Sequence, residues 1–174
     1  MIGSVIPLIA VVLFFLEPVF SLFSPINFGN ELYTLVPRFL IIYLVFIAIY
    51  YDRKYAIICG AILGLLYDMF NIDIIGLYAF LYPMICLIAT MLIRYVHRHI
   101  VTVMILTLFL IALLELLSYG FASLISITTI EFNEFISNRL VPTMIANSIF
   151  VIMFGWFFKK FMDSKIISVQ NETL

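Results

Sequence analysis

The chain has 174 residues, of which 66% are hydrophobic and 11% charged, and its mean hydropathy is +1.24. Soluble domains carry about 45–50% apolar and about 25% charged residues, and a chain this short has too little interior to hide such an excess, so a water-soluble globular fold is excluded. Nine Lys and Arg against ten Asp and Glu leave a net charge of −1, without the basic surplus that a nucleic-acid partner requires.

The apolar residues fall in long runs rather than in short alternating strands, which points to helices in a lipid bilayer and away from a porin-like barrel. Six runs approach the roughly 17–25 residues that cross a hydrocarbon core: 4–23, 35–51, 55–70, 74–93, 100–125 and 140–158. The expectation is an all-α integral membrane protein with a single six-helix transmembrane domain over residues 1–160 and a short tail at 161–174. The first run contains Glu17 and Pro18, is too long for a signal-peptide core, and has no Lys or Arg before it, so it is expected to be retained. Pro37 and Arg38 lie near the start of the second run. The third is short and contains Asp68, with Arg53 and Lys54 at one end. Gly76 lies near the start of the fourth, Glu115 is inside the fifth, and Arg139, Pro142 and Asn147 mark the start of the sixth.

Short loops that carry Lys and Arg stay cytoplasmic. Arg53, Lys54, Arg94, Arg98, Lys159, Lys160 and Lys165 gather on one side, whereas Glu31, Asp73, Glu131 and Glu134 gather on the other with only Arg38 and Arg139. Both termini are therefore expected to be cytoplasmic. The basic residues read first as topology determinants and second as a surface for anionic lipid or a cytoplasmic partner. Tyr50, Tyr51, Tyr55, Tyr95 and Trp156 suit the headgroup region as interfacial anchors.

An ionisable side chain at mid-membrane costs roughly 2.5–3.5 kcal/mol on insertion scales, so Glu17, Asp68 and Glu115 need partners inside the protein. With Arg38 and Arg139 entering from the outer face, the five are expected to meet in one cluster. Glu17 would pair with Arg38 across the first hairpin and Glu115 with Arg139 across the last, which offsets much of the insertion cost. Three readings stay open: pairs that only fix the helices, a polar cavity open to the outside for a small ligand or a partner's side chain, and proton-coupled transport.

Tyr67-Asp68 matches half of the intramembrane aspartyl protease pattern, but two carboxylates must share a proton there, and the nearest other acid, Asp73, belongs at the interface. No His-Glu-x-x-His, Gly-x-Ser-x-Gly or P-loop pattern occurs. His97 and His99 flank Arg98 without a neighbouring cysteine or carboxylate, so a metal is not expected there, and no other cofactor is implied. Cys59 and Cys86, each inside an apolar run, read as small buried thiols.

The most informative stretch is 59–83, CGAILGLLYDMFNIDIIGLYAFLYP. Gly60 and Gly64 have the spacing that lets two helices approach closely, and Asp68 lies four residues further along the same face, turned into the protein. Gly76 permits a tight turn or a close contact at the start of the fourth helix. The pattern Gly60, three residues, Gly64-Leu65, two residues, Asp68, seven residues, Gly76-Leu77, one residue, Ala79 resembles the signature of the rod shape-determining MreD family. Length, six apolar segments and Arg139-Leu140-Val141-Pro142 followed by Asn147 add to the resemblance, which covers essentially the whole chain. It implies a non-catalytic membrane scaffold of the bacterial cell-wall elongation machinery. The partners implied are a bitopic MreC-like protein, an actin-like MreB filament, a SEDS glycosyltransferase and a class B penicillin-binding protein. It also implies a fold similar to the substrate-binding components of energy-coupling-factor vitamin transporters, which makes a solute-binding transporter component the alternative. The family pattern supplies no catalytic residue to carry over.

Overall fold

The computed structural model describes residues 5–28, 31–71, 75–96 and 98–172, with side chains over 5–27, 32–71, 75–96 and 98–164. Ser4, Asp73, Ile74 and His97, and the side chains of Glu31 and Lys165, lie outside the described residues. The architecture is helical, with one small antiparallel ribbon.

Helix α1 (Val5–Ser21) ends a turn after Pro18, whose missing N–H weakens the helix at that point. The chain then forms strands β1 (Ile26–Phe28) and β2 (Glu31–Tyr33), paired with Ile26 opposite Tyr33. Strands of three residues leave no periodic signal in the sequence, and the ribbon was not among the expected elements. Helix α2 (Phe39–Tyr50) begins four residues after the apolar run does. Val36 precedes a proline and is biased toward extended backbone, and Arg38, at the N-cap, has a non-helical φ of −127° and ψ of 43°.

All twelve residues of α2 are buried. A helix apolar all round belongs in the interior, and α2 is the central post, in contact with α1 and with four helices that follow it. These are α3 (Arg53–Asn71), α4 (Leu77–Leu92), α5 (Ile100–Leu124) and α7 (Val141–Glu172). Asp52 caps α3, its Oδ1 accepting the Tyr55 N–H at 2.6 Å.

The last helical stretch starts earlier than the apolar run at 140, with a short α6 (Phe132–Phe135) that passes through a π-helical turn, Ile136–Leu140, into α7. Pro142 explains the wide turn. It has no N–H to give to the carbonyl of Asn138, four residues back, and that carbonyl accepts the Thr34 N–H at 2.7 Å instead. The proline thus frees the acceptor that ties the segment after β2 to the π turn. Beyond residue 158 the helix continues to Glu172.

Two stretches, Ile100–Leu124 and Phe132–Ser164, are long and apolar enough to cross a membrane, and α1, α2 and α4 are shorter apolar helices. Leu8, Phe15, Ile62, Phe109, Ile145 and Ile152 all face outward. Glu17, Arg38, Asp68, Glu115 and Asn147 are buried. A soluble protein avoids this distribution, with apolar residues outside and charges within.

Candidate functional site

The glycine-acid hairpin is built by α3 and α4. A Cβ on Gly64 would collide with the main-chain carbonyl of Tyr78 and come within 2.9 Å of the Ala79 Cα; one on Gly60 would meet the Pro83 nitrogen at 3.3 Å. The two glycines therefore set how closely α3 approaches α4, and this face is used within the chain. Close approach places the Asp68 carboxylate at the start of α4. Its Oδ2 accepts the N–H groups of Gly76 at 2.9 Å and Ala79 at 3.0 Å, and its Oδ1 accepts that of Tyr78 at 2.9 Å. Gly76, the N-cap, has no side chain to satisfy those amides and adopts φ 108°, a conformation open to glycine. A carboxylate from the neighbouring helix takes over the cap and meets the positive end of the helix dipole.

A second constellation surrounds the buried start of α2, where the first amides of a helix have no water to bond. Glu17 Oε1, from α1, accepts the Leu40 N–H at 2.7 Å. Asn147, from α7, accepts the Arg38 N–H on Oδ1 at 2.8 Å and donates Nδ2 to the Val36 carbonyl at 3.0 Å. Thr143 Oγ1 accepts the Val36 N–H at 3.1 Å. The non-helical backbone on both sides of Pro37 is thus bonded by α7, as buried irregular backbone must be.

The Arg38 side chain links the remaining helices. Its Nε and Nη2 both lie 2.6 Å from Glu115 Oε1 on α5. Nη2 also donates to the Tyr78 hydroxyl on α4 at 2.7 Å, and Nη1 to the Tyr67 hydroxyl on α3 at 3.3 Å. The guanidinium carbon lies 4.9 Å from the Tyr78 ring centroid, within cation–π range. Arg139, in the π turn, brings Nε to within 3.3 Å of the second Glu115 oxygen.

The expected pairing of Glu17 with Arg38 is replaced by a different arrangement. Glu17 bonds a helix-start amide, while Arg38 turns to Glu115. Asp68 stands one step away from the ionic cluster and is joined to it through Tyr78, whose N–H goes to Asp68 and whose hydroxyl receives Arg38. Glu17, Arg38 and Glu115 are at most 1% exposed, so side chains fill the cluster. Glu17 Oε2 and the Tyr82 hydroxyl have no hydrogen-bond partner among the described residues.

The two constellations bring together Glu17, Arg38, Glu115, Arg139, Asn147, Asp68, Gly60, Gly64 and Gly76. Pro142 stands just past the π turn, and the basic residues Arg53, Lys54, Arg94, Arg98, Lys159 and Lys160 are far from both. Tyr78, Tyr82 and Thr143 have no motif that marks them in the sequence, and Tyr67 stands out there only as half of a protease motif. Tyr67 and Tyr78, whose hydroxyls serve the buried guanidinium, stand within one short stretch.

The sequence matches the family model described as rod shape-determining protein MreD over residues 3–165. It is 31% identical to the rod shape-determining protein MreD of Bacillus subtilis (strain 168) over 157 residues, which cover 88% of this chain and 91% of that protein. It is 28% identical to the cell shape-determining protein MreD of Streptococcus pneumoniae (strain ATCC BAA-255 / R6) over 127 residues, 73% of this chain and 77% of the relative. No solved structure matches the chain. Matched nearly end to end, with its glycine-acid hairpin accounted for by a main-chain cap, the chain belongs to the rod shape-determining MreD family.

Proposed function

We propose that this protein acts in determining cell shape, as a non-catalytic scaffold in the membrane-bound machinery of cell-wall elongation and peptidoglycan synthesis. One observation carries the reading: the buried acids and amide singled out in the sequence are engaged in holding neighbouring helices. Asp68 holds the start of α4, Glu17 and Asn147 hold the start of α2, and Glu115 holds Arg38. A filled ionic centre suits a rigid frame and gives a solute no open site. The names of the two relatives support the cell-shape role.

The proposed setting is the bacterial plasma membrane, crossed six times with both termini in the cytoplasm. The outward apolar side chains support it, and so does the geometry of the central post. Its twelve helical residues give about 18 Å, and the five non-helical residues 34–38 add up to roughly 16 Å, enough for a hydrocarbon core of about 30 Å. Partners on this reading are an MreC-like bitopic protein, a SEDS glycosyltransferase, a class B penicillin-binding protein and, at the basic face, an MreB-like filament.

Microscopy during depletion tests the proposal. Cells are expected to round or widen as the protein is lost, whether or not the medium contains a vitamin mixture. Rods of normal width that stop growing and recover with the mixture would identify a solute-binding transporter component and overturn it.

A further inference from the structure

The basic end of the molecule contains a second polar site, separate from the ionic cluster. A cavity of about 260 Å³ opens beside the turn between α2 and α3, with Arg53, Arg94 and Arg98 on its walls and Tyr50 beside them. Ala48, Ile49 and Ile93 also line it. Among the described residues the salt bridges belong to Arg38 and Arg139, so these three guanidinium groups have no carboxylate partner. Tyr50 is 7% exposed, and its buried hydroxyl has no hydrogen-bond partner among the described residues. Lys159 adds a further cation, its Nζ 5.7 Å from the Tyr50 ring centroid. Two acids are near. Asp52 lines the cavity, its Oδ1 accepting the Tyr55 N–H, and Asp163 on α7 is close enough to Tyr50 to act on it electrostatically.

We propose that this cavity binds the phosphoryl headgroup of an anionic membrane lipid. Guanidinium forks match phosphate oxygens in pairs. The apolar side chains in the lining favour a lipid over a free phosphate: beside the headgroup they would meet glycerol and the first acyl carbons, which an inorganic ion lacks. Basic pockets between helices on the cytoplasmic side attract such headgroups. The site does not depend on the cell-shape reading, because it is tested on the purified protein.

Native mass spectrometry of the full chain in detergent, with equal phosphatidylglycerol and phosphatidylcholine added, tests it. Wild-type protein is expected to retain phosphatidylglycerol preferentially. At about fivefold for each cation near a membrane surface, Arg94→Gln with Arg98→Gln is expected to lower that retention by roughly thirtyfold. Arg53→Gln, which leaves the other two guanidinium groups of the lining in place, is expected to lower it about fivefold, and it decides the matter if the double variant does not fold. Lys160→Gln serves as the control, since that ammonium lies over Trp156 at 5.0 Å, outside the cavity lining, and retention should not change. Equal retention of the two lipids, or the same loss with Lys160→Gln, would overturn the site. Stabilisation by millimolar inorganic phosphate without any preference for phosphatidylglycerol would overturn the lipid as its ligand.

Discussion

Asp68 and Glu17 solve one problem at two helix starts: each carries a carboxylate from a neighbouring helix to amides that water does not reach. Asp68→Leu strands the N–H groups of Gly76, Tyr78 and Ala79, at about 1–3 kcal/mol for each buried group left unmet. Asp68→Asn keeps one oxygen acceptor and the shape of the side chain. Thermal unfolding of the purified protein should therefore rank wild type above Asp68→Asn and Asp68→Asn well above Asp68→Leu; equal losses would mean that the carboxylate does not act as a cap. The inward direction of Asp68 was legible from its register with Gly60 and Gly64. Its partners were not, because main-chain amides carry no signature in a sequence. Glu17 illustrates the same blindness. Nearness across a hairpin suggested Arg38, yet the amide of Leu40 at an interior helix start takes the carboxylate.

Among the elements, the hairpin of α3 and α4 has the least tolerance. The main-chain atoms facing Gly64 have nowhere to go, whereas a Cβ on Gly60 would be tight without colliding, at 3.3 Å from the Pro83 nitrogen, and one on Gly120 would meet nothing within 4 Å. Alanine at these positions is expected to be graded: Gly120→Ala near neutral, Gly60→Ala mild, and Gly64→Ala destabilising by at least the roughly 1–3 kcal/mol of overpacking. Melting temperatures of the three variants check the order, and a harmless Gly64→Ala would show that α3 and α4 stand further apart. Hydropathy located the helical segments because apolar runs of that length have few other homes. It did not show where α2 begins, since Pro37 and Arg38 interrupt the helix without interrupting the apolar run. Nor did it show the π turn, which follows from one missing N–H at Pro142 and one carbonyl claimed by Thr34.

At the scale of the whole molecule, Arg38 makes the six long helices one cooperative unit. Its side chain bonds α3, α4 and α5, and the backbone beside it bonds α1 and α7. Arg38→Met leaves Glu115 buried with only the more distant Arg139, a loss of about 3–5 kcal/mol for a broken buried pair. Adding Glu115→Met removes the stranded charge and is expected to restore much of the stability. Chemical unfolding of the single and double variants measures the coupling; simple additivity would mean that the two residues act separately.

The same pair imposes an order in time. Arg38 and Glu115 are 77 residues apart in the chain, and at about 5–20 residues per second of synthesis the interval is roughly 4–15 s. During that interval the guanidinium lacks the carboxylate that it ends up bonding. The start of the central post therefore gains its ionic partner only after α5 has been made, and its Asn147 bonds only after α7, so the second long helix of the chain is the one whose surroundings are completed last.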